Sequence, residues 1–558
     1  MTSNMSPKNA DAPGSAIYRP AIHLRSALAS AWPALCLAAL LLLPFVNTPF
    51  TIDDPIYLRE AQHLLTDPLH PQAFNIVWST DFDLRASEIL PGGVAFPYLL
   101  LPTVLAGAAE WVGHLTQLLF LLIAIVATAQ LALRLGLNAR QARWSTILTA
   151  TCPAVLPMAA TVMPDIAAML FSILGMERIV AWRDGRKWHQ AGLATCWLTL
   201  AVLTRSHTAM ILAPAAIFLL DGITGAEIRS SFRSFPARFL PLILVPIAAL
   251  IAALVTADPE STDQNVLVAL VSMPGGVSLL AKNIFAFLAH WVLVVPLTVP
   301  WLSLRFAQVR TAILLIALFG GGLLSVRAGW IAFPVAATIL VLGDILLDAL
   351  KRRDRVQLAL WLWLLIAFPV VLYIQLPSKY LLPSVPAAAI MIVRLHGRLL
   401  ETRRESTSWL IPSFAAWGTV LSLLILLGVR DLANIQRRAV EDLVVPHILA
   451  GDRVWFTGNW GFQWYAEAVH STPATVPPPW PQPGDIVIVS WIDLSHFAVE
   501  WTGAREVLQS VSYTNAPPGR IMDLAAGAGF FSNGFGYLPW AWGRGDASRF
   551  EVWRVKSQ

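Results

Sequence analysis

The sequence predicts an all-α, polytopic membrane protein that ends in a small α/β domain. Three observations support this. The 558-residue chain is 56% hydrophobic and only 13% charged, with a mean hydropathy of +0.62. A water-soluble domain cannot hide that much apolar surface. Apolar runs of about 18 or more residues recur along the chain, the length that crosses roughly 30 Å of hydrocarbon. From Asp431 onward the pattern changes to charged amphipathic and alternating segments.

The N-terminal tail, residues 1–26, is polar and carries Lys8, Arg19 and Arg25. The apolar run Ala27 to Val46 follows it without a small-residue cleavage site, so it reads as an uncleaved anchor. Basic residues before this run and acidic ones after it put the N-terminus in the cytoplasm and Asp53 outside. The first outer loop is residues 47–112. Within it, Val94 to Trp111 is apolar but opens on Pro91-Gly92-Gly93 and contains Pro97 and Pro102. We therefore expect a re-entrant or surface-lying helix there, since irregular backbone at membrane depth must lie against protein or a water-filled cavity.

Further spans are expected at Gly113–Leu133, Trp144–Val162, Ile166–Trp182, Ala191–Leu203, Ala209–Leu220 and Phe239–Thr256. They continue at Val277–Leu302, Ala312–Ser325, Trp330–Leu350, Val356–Ile374, Leu381–Leu395 and Trp409–Leu427. That makes about 13 spans in a module over residues 27–430. Loop charge is consistent with this count: loops assigned inside hold clusters such as Lys351, Arg352, Arg353 and Arg355. Outer loops hold isolated cations: Arg59, Arg85, Arg205, Arg327 and Lys379. The outer loop 257–275 is acidic, with Asp258, Glu260 and Asp263.

Residues 431–558 form the outer domain. A charged amphipathic segment, Asp431 to Leu449, leads into strands at Arg453–Thr457, Asp485–Trp491 and Phe550–Val555 and a helix at Trp460–His470. The stretch VPPPWPQP is a rigid connection. Gly519 to Gly545 is rich in glycine and aromatics but lacks the strand–GxGxxG–helix setting of a nucleotide site. The pI of 9.2 reflects cytoplasmic loop charge, and no nucleic-acid partner is implied. Cys36, Cys152 and Cys196 lie in apolar runs at no metal or disulfide spacing and read as small core residues.

The chemistry-bearing residues gather on the outer side. Asp53 and Asp54 are followed by Pro55 and Tyr57 in DDPIY, and Asp165 follows Pro164. Each acid suits a helix start, which explains Asp54, immediately before Pro55, almost as well as chemistry does. Three carboxylates returning to one face could instead form an acidic pocket. The outer cations Arg205 (in LTRSHT, with His207), Lys282 and Lys379 (in SKYLLP, with Tyr380) either snorkel or bind a lipid phosphate.

In order and topology these features resemble the polytopic GT-C glycosyltransferases. The likeness is to the bacterial branch related to protein O-mannosyltransferases and to the enzyme that adds aminoarabinose to lipid A. The resembling elements are DDPIY, MPD, LTRSHTAMILAP, SKYLLPSVPA and the tail GDRVWFTGNWGFQWYAEA. Here Asp54 stands where Glu is often found and Lys379 where Arg is frequent, and no His-Pro-Pro element precedes the re-entrant stretch.

The resemblance implies inverting transfer of a sugar from a polyprenyl-phosphate carrier to a lipid, glycan or protein acceptor, at the outer face of a bacterial inner membrane. Asp53 matches the family's first acid and would be the general base. Asp54 and Asp165 would orient the acceptor or the base, or hold a divalent cation if one is used. Tyr57, Arg205, His207, Lys282, Lys379 and Tyr380 would bind the sugar and its phosphate. A transporter, and an O-antigen ligase or polymerase, remain as alternatives. The topology has a direct test: a cysteine at Gly185 is labelled only from the cytoplasm, and labelling from outside would mean that Val94 to Trp111 spans.

Overall fold

The computed structural model describes residues 24–78, 82–89, 93–185, 187–221, 235–258, 276–306, 332–402, 408–475, 479–491, 501, 503–514 and 519–557. Among the described residues six helical stretches are long and apolar enough to cross a membrane: Leu24–Phe45, Glu110–Arg134, Ala332–Arg352, Arg355–Leu372, Ser378–Glu401 and Leu410–Leu449. A seventh, Ser278–Leu293 with Thr298–Arg305, is bent by 58°. Pro296 sits in the bend, where it has no N–H for the helical ladder. The expected span Ala312–Ser325 and the loop residues Glu260 and Asp263 lie outside the described residues.

Several expected spans are broken. Trp144–Val162 is two pieces, Ala139–Ala150 and Val155–Ala159, separated at Pro153. Val94 to Trp111 holds two short helices, Phe96–Leu99 and Leu101–Leu105, each with proline in its first turn. Gly107 (φ 73°) and Ala108 (φ 56°) then turn the chain into the helix Glu110–Arg134. Neither short piece can cross a bilayer at 1.5 Å per residue.

The helix Asp165–Gly185 lies at the centre and is buried along nearly its whole length. Its neighbour Trp188–Thr204 approaches so closely that a Cβ on Gly175 would meet Leu198 Cδ2 at 2.6 Å, so this contact requires glycine. Two residues further along the helix, buried Glu177 pairs with Arg134 and Arg178, each at 2.5 Å. Of the cysteines only Cys152 is buried. Cys36 and Cys196 face outward, contrary to the core reading. An apolar surround suits a small thiol as well as a protein interior does.

The change of composition at Asp431 is not a structural break. The helix that begins at Leu410 runs to Ala439, and a π turn, Val440–Val444, carries it into Val445–Leu449. No proline interrupts it before Pro446 once past Pro412. The C-terminal domain that follows is built on a five-stranded sheet. Its spatial order is Thr472–Pro473, Val454–Thr457, Ile486–Ser490, Asp546–Val555 and Arg505–Thr514. The pairs made by Val454–Thr457 are parallel and the rest antiparallel. Val454, Phe456, Ile486, Ile488, Phe550 and Val552 face the helix Trp460–Ala468. Trp455, Val487, Val489 and Trp553 face the opposite side, as the two-residue period of strands requires. The edge strand Arg505–Thr514 was not expected, because its exposed, largely polar sequence shows little apolar alternation.

The stretch after the first long helix folds as the helix Asp54–His63 and the hairpin Asn75–Trp78/Phe82–Arg85. Arg85 forks onto Asp258 (Nε to Oδ2 2.9 Å, Nη2 to Oδ1 2.5 Å), and the Ser87 hydroxyl donates to the same carboxylate at 2.8 Å. This ties the hairpin to the outer end of Phe235–Thr256. Because Asp258 is buried, Arg85→Ala should destabilise the protein by about 3 kcal/mol. A thermal unfolding midpoint unchanged from wild type would contradict this.

Candidate functional site

The site is built where three loops meet above the bundle. In the first, Ile52 has φ 50°, a left-handed conformation that costs a β-branched residue about 1–3 kcal/mol. Asp54 holds that turn. Its Oδ2 accepts the Thr51 N–H at 3.0 Å and its Oδ1 accepts the Val162 N–H at 2.8 Å. Asp54 is fully buried, and neither Asp53 nor Asp54 makes a side-chain cap to the helix that follows. The capping explanation of Asp54 is therefore replaced by a bridge between two loops. The turn leaves the Asp53 carboxylate free to reach across the bundle, where Lys379 Nζ donates to its Oδ2 at 2.5 Å.

The second loop precedes Asp165. Gln117 donates to the Met163 carbonyl at 2.8 Å, and His114, one turn earlier on the same helix, bonds the Thr48 carbonyl at 2.8 Å. A carbonyl only accepts, so His114 Nε2 carries the proton. One helix thus pins both acid-bearing loops. Asp165 Oδ2 accepts from Arg205 Nη2 at 2.9 Å. The Arg205 guanidinium lies 5.0 Å from the centre of the Tyr380 ring, and His207 packs on the other part of that ring at 5.3 Å. Arg205 comes from the third loop, the break between Trp188–Thr204 and Ser206–Ile211.

The structure thus brings together Asp53, Tyr57, Asp165, Arg205, His207, Lys379 and Tyr380. Tyr57 is buried edge-on to Phe96 at 5.3 Å, and burial holds its hydroxyl well above the ordinary tyrosine range. Lys282 lies on Gly276–Leu293 and makes no ion pair with these residues among those described. Its neighbour Asn283 is the buried, bonded one, donating to the carbonyls of Val371 (3.1 Å) and Tyr373 (2.6 Å).

Sequence reasoning missed Glu60. It lies seven residues after Asp53, on the same inward face of its helix, and is fully buried. Gln72 Nε2 donates to its Oε1 at 2.9 Å. The available signal was an acid at helical spacing from Asp53 and Tyr57. His114 and Gln117 were missed too, although polar residues in an apolar run are costly enough to demand a reason.

Burial pushes the Glu60 carboxyl up to about 8, against the Gln72 hydrogen bond and the charge of Arg205, which pull it down. Burial likewise pushes Asp54 up to about 7, against its two backbone N–H bonds. Among the described residues no three His, Cys, Asp or Glu side chains are arranged to hold a metal ion.

Residues 94–251 match the family described as dolichyl-phosphate-mannose-protein mannosyltransferase. The apo crystal structure of ArnT from Cupriavidus metallidurans superposes with a TM-score of 0.50 at 12% identity, covering 86% of this chain and 95% of that one. The chain has the GT-C fold. ArnT from the same organism bound to undecaprenyl phosphate gives a TM-score of 0.46 at 12% identity, over 86% of this chain and 96% of that one. The oligosaccharyltransferase AglB from Archaeoglobus fulgidus, with an inhibitory peptide and a dolichol-phosphate, gives 0.41 at 14% identity, over 80% and 64% of the two chains. No curated protein sequence matches. The GT-C resemblance expected from DDPIY, MPD and the basic loops therefore holds at the level of fold and of the matched family.

The two raised carboxyls make stability depend on pH. The folded protein keeps a proton on Asp54 up to about pH 7 and on Glu60 up to about pH 8, whereas the unfolded chain releases them near 3.8 and 4.5. The native state binds more protons across those intervals, so these groups make stability fall as pH rises through them. Glu60→Gln should flatten the decline up to about pH 8. A variant whose thermal midpoint declines between pH 5 and 8 as steeply as wild type would contradict the assignment.

Proposed function

We propose that this protein is a glycosyltransferase that moves a sugar from a polyprenyl-phosphate carrier to an acceptor hydroxyl at the outer face of a bacterial inner membrane. The observation that carries the reading is the Asp53–Lys379 pair at 2.5 Å, at the outer end of the bundle and next to the Asp165–Arg205 pair. A buried ammonium and a guanidinium at that depth suit a lipid phosphate, which presents its charge where its prenyl chain enters the bilayer. The family matched over residues 94–251 is named for a dolichyl-phosphate-mannose donor, which agrees with this carrier class.

In this reading the resting pair exchanges partners. An incoming phosphate oxygen takes the Lys379 ammonium and releases the Asp53 carboxylate. Asp53 then accepts the proton of the acceptor hydroxyl as its oxygen attacks the anomeric carbon. The bond from that carbon to the phosphate oxygen breaks, and the polyprenyl phosphate leaves with both bonding electrons. A single displacement of this kind inverts the anomeric centre. The leaving phosphate needs no strong general acid, unlike the alcohol expelled by a glycosidase. Lys379 and Arg205 neutralise its developing charge. Asp54 and Asp165 act as positioning residues, and Tyr57, His207 and Tyr380 line the sugar side. The N-terminus is cytoplasmic and the C-terminal domain extracytoplasmic in this orientation.

The test incubates purified protein with a panel of polyprenyl-phosphate sugars and follows release of the carrier. Asp53→Asn should slow release by about 10²–10⁴-fold while the protein still purifies as a folded, monodisperse species. Release at the wild-type rate would overturn the base assignment.

A further inference from the structure

Around Arg205 the structure gathers buried polar atoms that have no hydrogen-bond partner among the described residues: Glu60 Oε2, Asp165 Oδ1, Arg205 Nε, His207 Nε2 and the adjoining Thr204 hydroxyl. Glu60 and Thr204 are fully buried and Asp165 is 1% exposed. An unmade hydrogen bond at such depth destabilises the free site. Five converge on one neighbourhood, next to the Asp165–Arg205 pair. The atoms are both donors and acceptors, so a simple anion or cation satisfies only part of them. The pattern matches a ligand whose groups both donate and accept, which is the chemistry of sugar hydroxyls.

We propose that Glu60, Thr204 and His207 form a subsite for the hydroxyls of a sugar, beside the phosphate-facing Arg205, whose Nε is left for one of those hydroxyls, and apart from the Asp53–Lys379 pair at the reacting carbon. The proposal rests on the transferase reading above. Glu60 is its centre because its Oε1 is already fixed by Gln72, leaving the buried Oε2 of a fully buried residue unsatisfied and facing the Arg205 neighbourhood. A protonated carboxyl there both donates and accepts, and burial keeps it protonated to about pH 8. The wall of the subsite is tight: a Cβ on Gly93 would lie 3.2 Å from the Thr204 carbonyl. The start of the re-entrant stretch therefore closes directly over Thr204. Such a subsite ranks sugars by hydroxyl position, since a buried polar group left unpaired by the wrong sugar is costly.

Those hydroxyls belong either to the carried sugar or to the acceptor glycan, and two binding arms separate the sources. In the first, wild-type protein and the variants Glu60→Met, Glu60→Gln and Thr204→Val are titrated with undecaprenyl phosphate and with undecaprenyl-phosphate hexoses. In the second, the protein is saturated with undecaprenyl phosphate and titrated with the methyl glycosides of the same hexoses. The expected result is in the first arm. Wild type prefers the sugar-bearing lipid, the preference falls roughly 3–10-fold in Glu60→Met and Thr204→Val, and Glu60→Gln, which still donates and accepts, keeps it. Affinity for bare undecaprenyl phosphate stays unchanged.

Loss confined to the second arm assigns the subsite to the acceptor and supports the hydroxyl chemistry. Unchanged preference in both arms, or equal loss for bare and sugar-bearing lipid, overturns it. Thr204→Val conserves shape, so it decides the matter if Glu60→Met does not fold. Failure of wild type to bind any polyprenyl phosphate would overturn the transferase reading itself, a result distinct from loss of the subsite.

Discussion

The candidate site depends on one carboxylate that does not face it. Asp54 accepts a hydrogen bond from Thr51 in its own loop and from Val162 in the next. These bonds hold the left-handed turn at Ile52 and fix the distance between the loop that carries Asp53 and the one that carries Asp165. Fully buried and unassisted, such a carboxylate would be expensive. With two backbone N–H groups converging on it, the same burial makes the bridge rigid, because water cannot compete for either bond. His114 and Gln117 add a second pair of ties from the helix Glu110–Arg134 to the same loops.

The C-terminal domain completes the frame from above and holds both sides of the Asp53–Lys379 pair. Gln436 Oε1 accepts from the Thr51 hydroxyl and from the Gly461 N–H, each at 3.0 Å, and Tyr465 accepts the Phe50 N–H at 2.8 Å. Arg59 pairs with Glu467. On the other side Asn533 accepts the Leu376 N–H at 3.0 Å and donates to Asn283 at 2.9 Å, while the Ser378 hydroxyl donates to the Phe530 carbonyl at 2.8 Å. Leu376 and Ser378 flank the entry to Lys379. The glycine- and aromatic-rich segment that suggested no function in the sequence supplies this second anchor.

Much of the site was visible in the sequence because membrane proteins punish misplaced charge. An acid or an outer cation in so apolar a chain stands out, so Asp53, Asp165, Arg205 and Lys379 could be named from position alone. Glu60, Gln436 and Asn533 could not. They sit in a short amphipathic helix, a helix extension and a polar loop, where carboxylates and amides are ordinary, and their meaning comes from what lies opposite them. Lys282 shows the converse: its scarcity outside drew notice, but the neighbouring Asn283 carries the contacts.

The sequence by itself determined the membrane class, the helical module with its proline-broken stretch at Val94–Trp111, and the set of charged residues that the structure brings together. Hydropathy, proline positions and loop charge are local quantities, so a linear reading captures them. Tertiary structure alone decided that the last span runs unbroken into the outer domain. It also decided that Asp54 bridges loops rather than capping a helix, and that Asp53 meets Lys379 across a sequence separation of 326 residues. A pair so distant in sequence leaves no local pattern. It forms because packing brings the half-buried Asp53 carboxylate to the buried Lys379 ammonium, whose desolvation it offsets.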